Sequence, residues 1–493
     1  MSEAGLIRHL RNYASAGALS AIVGIVSFPL LTRNLSVADY GLVGLITATT
    51  AFFIAIGKLG VQHAVVRYFS QIREGNAEFD LQQMHSTALV LFSVLAVSAT
   101  AVWLFSGYFV LPSFLQSENI SSLFLVGSGI VFVRVLGSCA MNFLRASQRS
   151  VDVAVAQGTA RVLNLFLIVA LLLSTTLNPW LIVACVLIAE TAGMCYAAYQ
   201  YRSELFFSRH KVSALLARAM LVYGLPLMLL ESMILILRLS DRYLIESMLG
   251  VTALGQYSAS YNICSYLEII IIAAILQALR PAYMQLWEAS GKEKTSQFLA
   301  ESFYLYMVVG IPFVVMFALT SPYLLSLLAG QKYQPGTVII PYVALSYWMD
   351  GAMLFLAAGL YIFKDTKLLM LCGLGATIIN VGLNLVMIPR FGITGAAAVT
   401  VFSYGLFMLT VTCLAFRRVR FRLRVIEPLV LTVLSIVVYS TLSTVDFDSA
   451  LYNFIIKGLL GSCVLMAAIW LLVPELQRWL SQHRLLPGKH RSV

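Results

Sequence analysis

Of 493 residues, 60% are hydrophobic and 11% charged, under half the charged share of roughly 25% usual in soluble domains. A water-soluble fold is excluded. At about 20 apolar residues per crossing, fourteen crossings consume roughly 280 residues, which leaves loops and ends but no room for a large soluble domain. The net charge of +11 would suit nucleic acid only if the basic residues clustered on one soluble face, so their positions along the chain matter.

Apolar stretches lie near 12–32, 40–60, 86–109, 120–144, 151–174, 180–201, 216–237, 251–276, 298–320, 337–362, 368–388, 393–416, 426–445 and 452–473, and predict about fourteen transmembrane helices in an all-α polytopic fold. The first, preceded by Arg8 and Arg11, is too long for a signal-peptide core and reads as a retained span. With a cytoplasmic N-terminus, most of the 33 lysines and arginines fall in inside loops. Only Arg33, Arg238, Arg242, Lys332 and Arg390 fall outside, while Arg134, Arg161 and Lys457 lie within helices. This bias predicts cytoplasmic ends for a multi-pass membrane protein, with some affinity for anionic lipid headgroups and no nucleic-acid partner. All seven cysteines sit in apolar stretches without CxxC spacing; they read as packing residues, with no metal site expected.

Deep ionisable groups are the next signal. Arg134 and Arg161 fall about 15–20 Å into their helices at 1.5 Å per residue, where an arginine costs about 2.5–3.5 kcal/mol on insertion scales. Each faces a cavity and its substrate, pairs with a carboxylate such as Glu190, or snorkels. Asn164 stands one turn from Arg161 and orients the guanidinium, contacts cargo, or bonds between helices. Glu190, Glu231, Glu268 and Asp350 are candidates for coupling to H+ or Na+ through a desolvated carboxylate; neutralising a nearby arginine is the simpler role. Pro226 removes a backbone donor near Glu231 and marks either a conformational kink or an inert one. Arg238 and Arg242 are candidates for an anion on the outer side, or for pairing with Asp241 and Glu246. Tyr257, Tyr261, Cys264 and Glu268 form one helical stripe. Its tyrosines suit sugar rings, with the interfacial aromatic belt as the alternative for Tyr257.

The chain also repeats itself. Leu35, Val37 and Gly41 open the second stretch with the same spacing as Leu249, Val251 and Gly255 open the eighth, and Asn164 and Asn380 sit at nearly the same offset. Six crossings per unit give two like-oriented lobes around a cavity. The expected organisation is an N-terminal lobe at 1–201, a basic linker at 202–215, a C-terminal lobe at 216–416, and an appended helix pair with a basic tail at 417–493.

The segments Phe28-Pro29-Leu30-Leu31-Thr32-Arg33-Asn34-Leu35-Ser36 with Asp39-Tyr40-Gly41, Ser240-Asp241-Arg242 with Leu249-Gly250-Val251 and Gly255-Gln256-Tyr257-Ser258, and Asn380-Val381-Gly382-Leu383-Asn384 with Ile388-Pro389-Arg390-Phe391-Gly392-Ile393-Thr394-Gly395 resemble the Wzx-type polysaccharide flippases. The wider superfamily includes drug extruders and lipid II flippases. The resemblance implies alternating access and cargo in the form of an undecaprenyl-pyrophosphate-linked oligosaccharide, moved from the cytoplasmic to the periplasmic leaflet for surface polysaccharide. Polysaccharide polymerase and chain-length proteins are the implied partners. Lipid II flippases are expected to carry a cavity arginine on the first helix; the stretch 12–32 has none, so that position does not transfer. Guanidinium groups suit pyrophosphate because their planar donors bind its oxygens bidentately.

No GxxxxGK[ST] loop occurs, so ATP hydrolysis by this chain is not expected. No cofactor is expected beyond a coupling ion. The rival readings are a cation-coupled multidrug extruder with a carboxylate-lined cavity, a membrane glycan polymerase or ligase with a long outside loop, and a scaffold whose buried charges are all paired.

Overall fold

The structure, a computed structural model, describes residues 3–75, 78–110, 120–267 and 273–473. The described residues form fifteen α-helices with short π and 3-10 turns: α1 (Glu3–Asn34), α2 (Val37–Gly57), α3 (Val61–Arg73), α4 (Leu81–Phe105), α5 (Ile120–Ala146), α6 (Ser150–Ser174), α7 (Pro179–Tyr201), α8 (Ala214–Leu249), α9 (Val251–Leu267), α10 (Ala273–Ala329), α11 (Ile340–Leu356), α12 (Ala358–Ile362), α13 (Thr366–Arg418), α14 (Ile426–Ser443) and α15 (Ala450–Leu472). Twelve of the helical segments are long and apolar enough to cross a membrane, and the protein is a multi-pass membrane protein.

Twelve segments qualify where the sequence predicts fourteen, and two features account for the difference. The stretches at 368–388 and 393–416 run on as α13, broken at Gly392, whose φ of 61° is a left-handed conformation that glycine adopts without a Cβ penalty. The eighth stretch, 251–276, begins as α9, which reaches only Leu267 before the residues outside the description. A second long helix, α10, turns in the same way at Gly291, φ 74°.

Local chemistry sets the helix starts. Ser36 opens α2, accepting from the Asp39 amide at 3.0 Å and donating to the Asp39 carboxylate at 2.7 Å. Asp80 and Gln83 form a reciprocal capping box on α4, satisfying two donors that a bare helix end leaves open. Asn178 caps α7 with Pro179 in its first turn, where the missing amide costs nothing.

Proximity divides the chain into two compact units. One comprises Met1–Ala259 with Val381–Ala396, the other Ser260–Asn380 with Ala397–Val493. In the first, the 202–213 segment is bound to the start of α4. The amides of Ser208 and Ser213 donate to Ser86 and Thr87 at 3.0 and 2.9 Å, and Lys211 reaches Asp80 at 2.8 Å. Helix α8 packs on α2 and α3. In the second, α10 carries the α14–α15 pair and an aromatic cluster with α11.

The repeat found in the sequence marks a reciprocal contact in the first unit. A Cβ on Gly41 would stand 2.6 Å from the Val251 carbonyl oxygen, and one on Gly255 would stand 1.9 Å from that of Val37. Each glycine admits the first-turn backbone of the other repeat. No larger residue fits either place without moving a helix.

Candidate functional site

The first unit contains a cavity of about 360 Å³, within the range of small-molecule sites. Its walls come from α1 (Ser20), α2 (Ile54), α3 (Gln62), α5, α6 and α7, with Lys58 at the end of α2. Four basic side chains enter it, Lys58, Arg134, Arg145 and Arg161, against one carboxylate, Glu190.

Helix α5 supplies the longest wall. Arg134, Ser138, Asn142 and Arg145 all line the cavity at the i, i+4, i+8 and i+11 spacing of one helical face. Between Arg134 and Arg145 the wall runs about 16 Å at 1.5 Å per residue, from mid-helix to the last turn. Ser138 donates to the Arg134 carbonyl at 2.7 Å and Asn142 to the Ser138 carbonyl at 2.7 Å. Arg145 Nη1 donates to Asn142 Oδ1 at 3.3 Å. Ser138 and Asn142 therefore lie along their own helix, and Asn142 also holds the Arg145 guanidinium beside the hollow.

Arg134 Nη2 donates to Glu190 Oε1 on α7. Arg134 thus lines the cavity and pairs with a carboxylate at once, since the pair is itself part of the wall. Arg161, on α6, makes no hydrogen bond or ion pair among the described residues and lies close enough to Arg134 and Glu190 to interact electrostatically. Asn164 is not among the lining residues, and its Oδ1 is buried without a hydrogen-bond partner among the described residues.

Lys58 and Gln62 arrive by a break in the chain. Leu59 and Gly60 both take positive φ, 46° and 72°, and separate α2 from α3. Gly60 rests on α8, where a Cβ would come within 2.0 Å of the Gly224 carbonyl oxygen. Lys58, Gln62, Gln157 and Arg145 were not among the residues expected for the site. As terminal or loop residues, the two cations read as topology signals; the stripe from Arg134 to Arg145 on one face was the available clue.

The other expected residues lie elsewhere. Glu231 on α8 accepts from Gln62 Nε2 at 3.1 Å and meets His63 Nε2 at 2.8 Å, five residues past Pro226, which lies within α8. Arg238 and Arg242 are half-buried on α8. Between them Asp241 is buried and accepts from the hydroxyl of Tyr257, itself wholly buried. Glu246 is also buried. Tyr261 packs edge-on against Tyr347 at 5.9 Å. Asp350 is half-buried on α11, near the Tyr306 hydroxyl. Glu268 lies outside the described residues.

A sequence model of the family described as "Polysaccharide biosynthesis protein" matches residues 11–287. An uncharacterized membrane protein of Methanocaldococcus jannaschii, MJ1068, is 24% identical over 433 residues, 81% of each chain. Among solved structures, this chain is similar to the lipid II flippase MurJ in an inward closed conformation, with TM-score 0.76, 13% identity, and 94% of this chain and 99% of that one covered. It is also similar to an inward-facing multidrug resistance MATE transporter of the MOP superfamily, with TM-score 0.68 and 15% identity over 82% and 94%. A MOP superfamily transporter from Pyrococcus furiosus, whose binding pocket is described as having reverse polarity, aligns with TM-score 0.57 and 14% identity over 83% and 95%. The shared feature is the transporter fold.

Proposed function

We propose, from the premise that this chain belongs to the polysaccharide biosynthesis protein family, that it is a Wzx-type flippase. On this reading it moves a lipid-linked oligosaccharide from the cytoplasmic to the periplasmic leaflet by alternating access, for surface polysaccharide assembly. The observation that carries the reading is the excess of basic over acidic side chains in the first-unit cavity. A pyrophosphate-linked head is anionic, and guanidinium groups recognise it with paired donors. The hydrocarbon tail stays in the bilayer, while the head needs a polar route lined by protein.

On this reading Arg134 and Arg161 hold the pyrophosphate at depth, and Lys58 and Arg145 meet it nearer the end of α5. Gln62, Gln157 and Asn142 offer uncharged hydrogen-bonding groups suited to sugar hydroxyls. Cation-coupled extrusion of positively charged drugs fits this cavity poorly, because four cations would repel such cargo. The polytopic transporter fold favours transport over enzymatic chemistry. The basic loops favour cytoplasmic ends, and the flippase reading itself puts the chain in a bacterial inner membrane.

The test is surface-glycan export in cells carrying R134A/R161A. We expect export to fall at least about tenfold, the effect of losing about 1.4 kcal/mol of binding, with the variant still present in the membrane. Normal export would remove both arginines from the mechanism. Coupling to H+ or Na+ through Glu190, Glu231, Glu268 or Asp350 is tested by transport in proteoliposomes under imposed gradients of either ion; insensitivity to both would remove it.

A further inference from the structure

Glu190 is the carboxylate among four cations in the cavity lining, and it occupies the deepest guanidinium on the α5 wall. A site designed only to attract an anion gains nothing from a fixed negative group at its centre. A site that must bind an anion and then release it does. We infer that Glu190 is a tethered stand-in for the cargo's phosphate: its carboxylate holds Arg134 when the cavity is empty and is displaced when a pyrophosphate takes the same donors. The inference rests on the proposed function and deepens it by assigning the role of one residue in that site.

Three observations support exchange over a fixed structural pair. The Arg134 and Glu190 side chains are 32% and 20% exposed, so the pair borders the open cavity and an incoming anion reaches it without unfolding anything. The pair is single-donor: Arg134 Nη2 reaches Glu190 Oε1, whereas an Arg–phosphate contact uses two parallel donors. Arg161 and Lys58 are near enough to feel the same carboxylate, so a displaced Glu190 has other positive groups at hand and is not stranded in hydrocarbon. A doubly charged pyrophosphate outcompetes one carboxylate for Arg134. Once the cavity opens to the far side, the returning carboxylate helps to expel it.

The experiment is calorimetric titration of inorganic pyrophosphate into the full-length protein in lipid nanodiscs, comparing wild type, E190Q, R134Q and R134Q/E190Q. Glutamine still accepts a hydrogen bond from Arg134 but does not compete as an anion. We expect E190Q to bind about tenfold tighter than wild type, the worth of one charge-assisted hydrogen bond. R134Q should bind more weakly, and E190Q should bring no gain when Arg134 is already absent. Equal affinity of E190Q and wild type overturns the inference while leaving the proposed function standing, and so does an equal gain with or without Arg134. Failure of pyrophosphate to bind either wild type or E190Q, both folded, overturns the reading beneath it.

A second measurement needs no variant. Carbodiimide-mediated coupling of an amine, read by mass spectrometry, should label Glu190 more heavily relative to Glu231 when pyrophosphate saturates the wild type. An unchanged ratio counts against displacement.

Discussion

The two units handle charge within apolar surroundings in opposite ways. In the second unit, Lys457 of α15 is 1% exposed and fully engaged, donating to Asp446 at 2.8 Å and to the Tyr323 hydroxyl. Elsewhere the unit is packed with rings. Tyr306 stacks between Phe303 and Trp348, donates to the Trp348 carbonyl at 2.6 Å, and fits because Gly351 leaves its hydroxyl room. In the first unit, four cations share a cavity with one carboxylate. A buried charge with its own partners holds a structure together; charges in excess, around a hollow, are arranged for something that comes and goes.

The contrast breaks down if charge removal has the same consequence in both places. The largest effect is expected from R134A/R161A, which should abolish most glycan export while shifting the thermal unfolding midpoint in detergent little. Next comes G255A, which drives a methyl group into the Val37 carbonyl and should cost about 1–3 kcal/mol of stability, the usual penalty of overpacking, read as a lowered unfolding midpoint. D446A should cost about 1–3 kcal/mol by taking a partner from a buried ammonium, with pyrophosphate affinity unchanged. K457M, which removes the charge itself, should cost less than D446A. Reversal of that order would mean the ion pair is not what makes Lys457 costly to disturb.

The smallest effect concerns pH. The Lys211 ammonium and the Gln83 amide hold the Asp80 carboxyl below its ordinary value of 3.8. The stabilisation is therefore complete above about that value and is lost as pH falls through the lower, folded one. Hydrogen exchange along 202–213 should rise only in that acidic range, and K211M should weaken the dependence to the part that the Gln83 amide sustains.

Periodicity and hydropathy made the helices legible, because a membrane span is written in consecutive residues. The glycine repeat was legible as a repeat, but its meaning was not. Gly41 and Gly255 are 214 positions apart, and only folding reveals that each accommodates the other's first turn. Arg134 and Arg161 announced themselves by their cost in hydrocarbon. Lys58 and Arg145 did not, since a cation at a helix end is cheap and topology already explained it. The stripe through Tyr257 and Tyr261 suits sugar rings or, for Tyr257, the interfacial belt; in the fold the Tyr257 hydroxyl donates to Asp241 of the preceding helix, a partner that spacing along one helix does not show. The partners of Glu231, a candidate for ion coupling or for neutralising an arginine, are equally invisible in the spacing: α3 brings Gln62 and His63 to it. Linear pattern reports what each helix must bury and is silent on which neighbour it meets.

The segment joining α7 to α8 bears on how this protein is handled at the bench. Its amides are committed to hydroxyls at the start of α4, so a fluorescent domain or affinity tag spliced between 202 and 213 would pull those amides away and disturb the first unit. The turn from 444 to 449, between the last two helices, is mostly exposed and tolerates an insertion better at 444–445, ahead of Asp446 beside Lys457 and of Phe447, whose backbone is paired with Asn453.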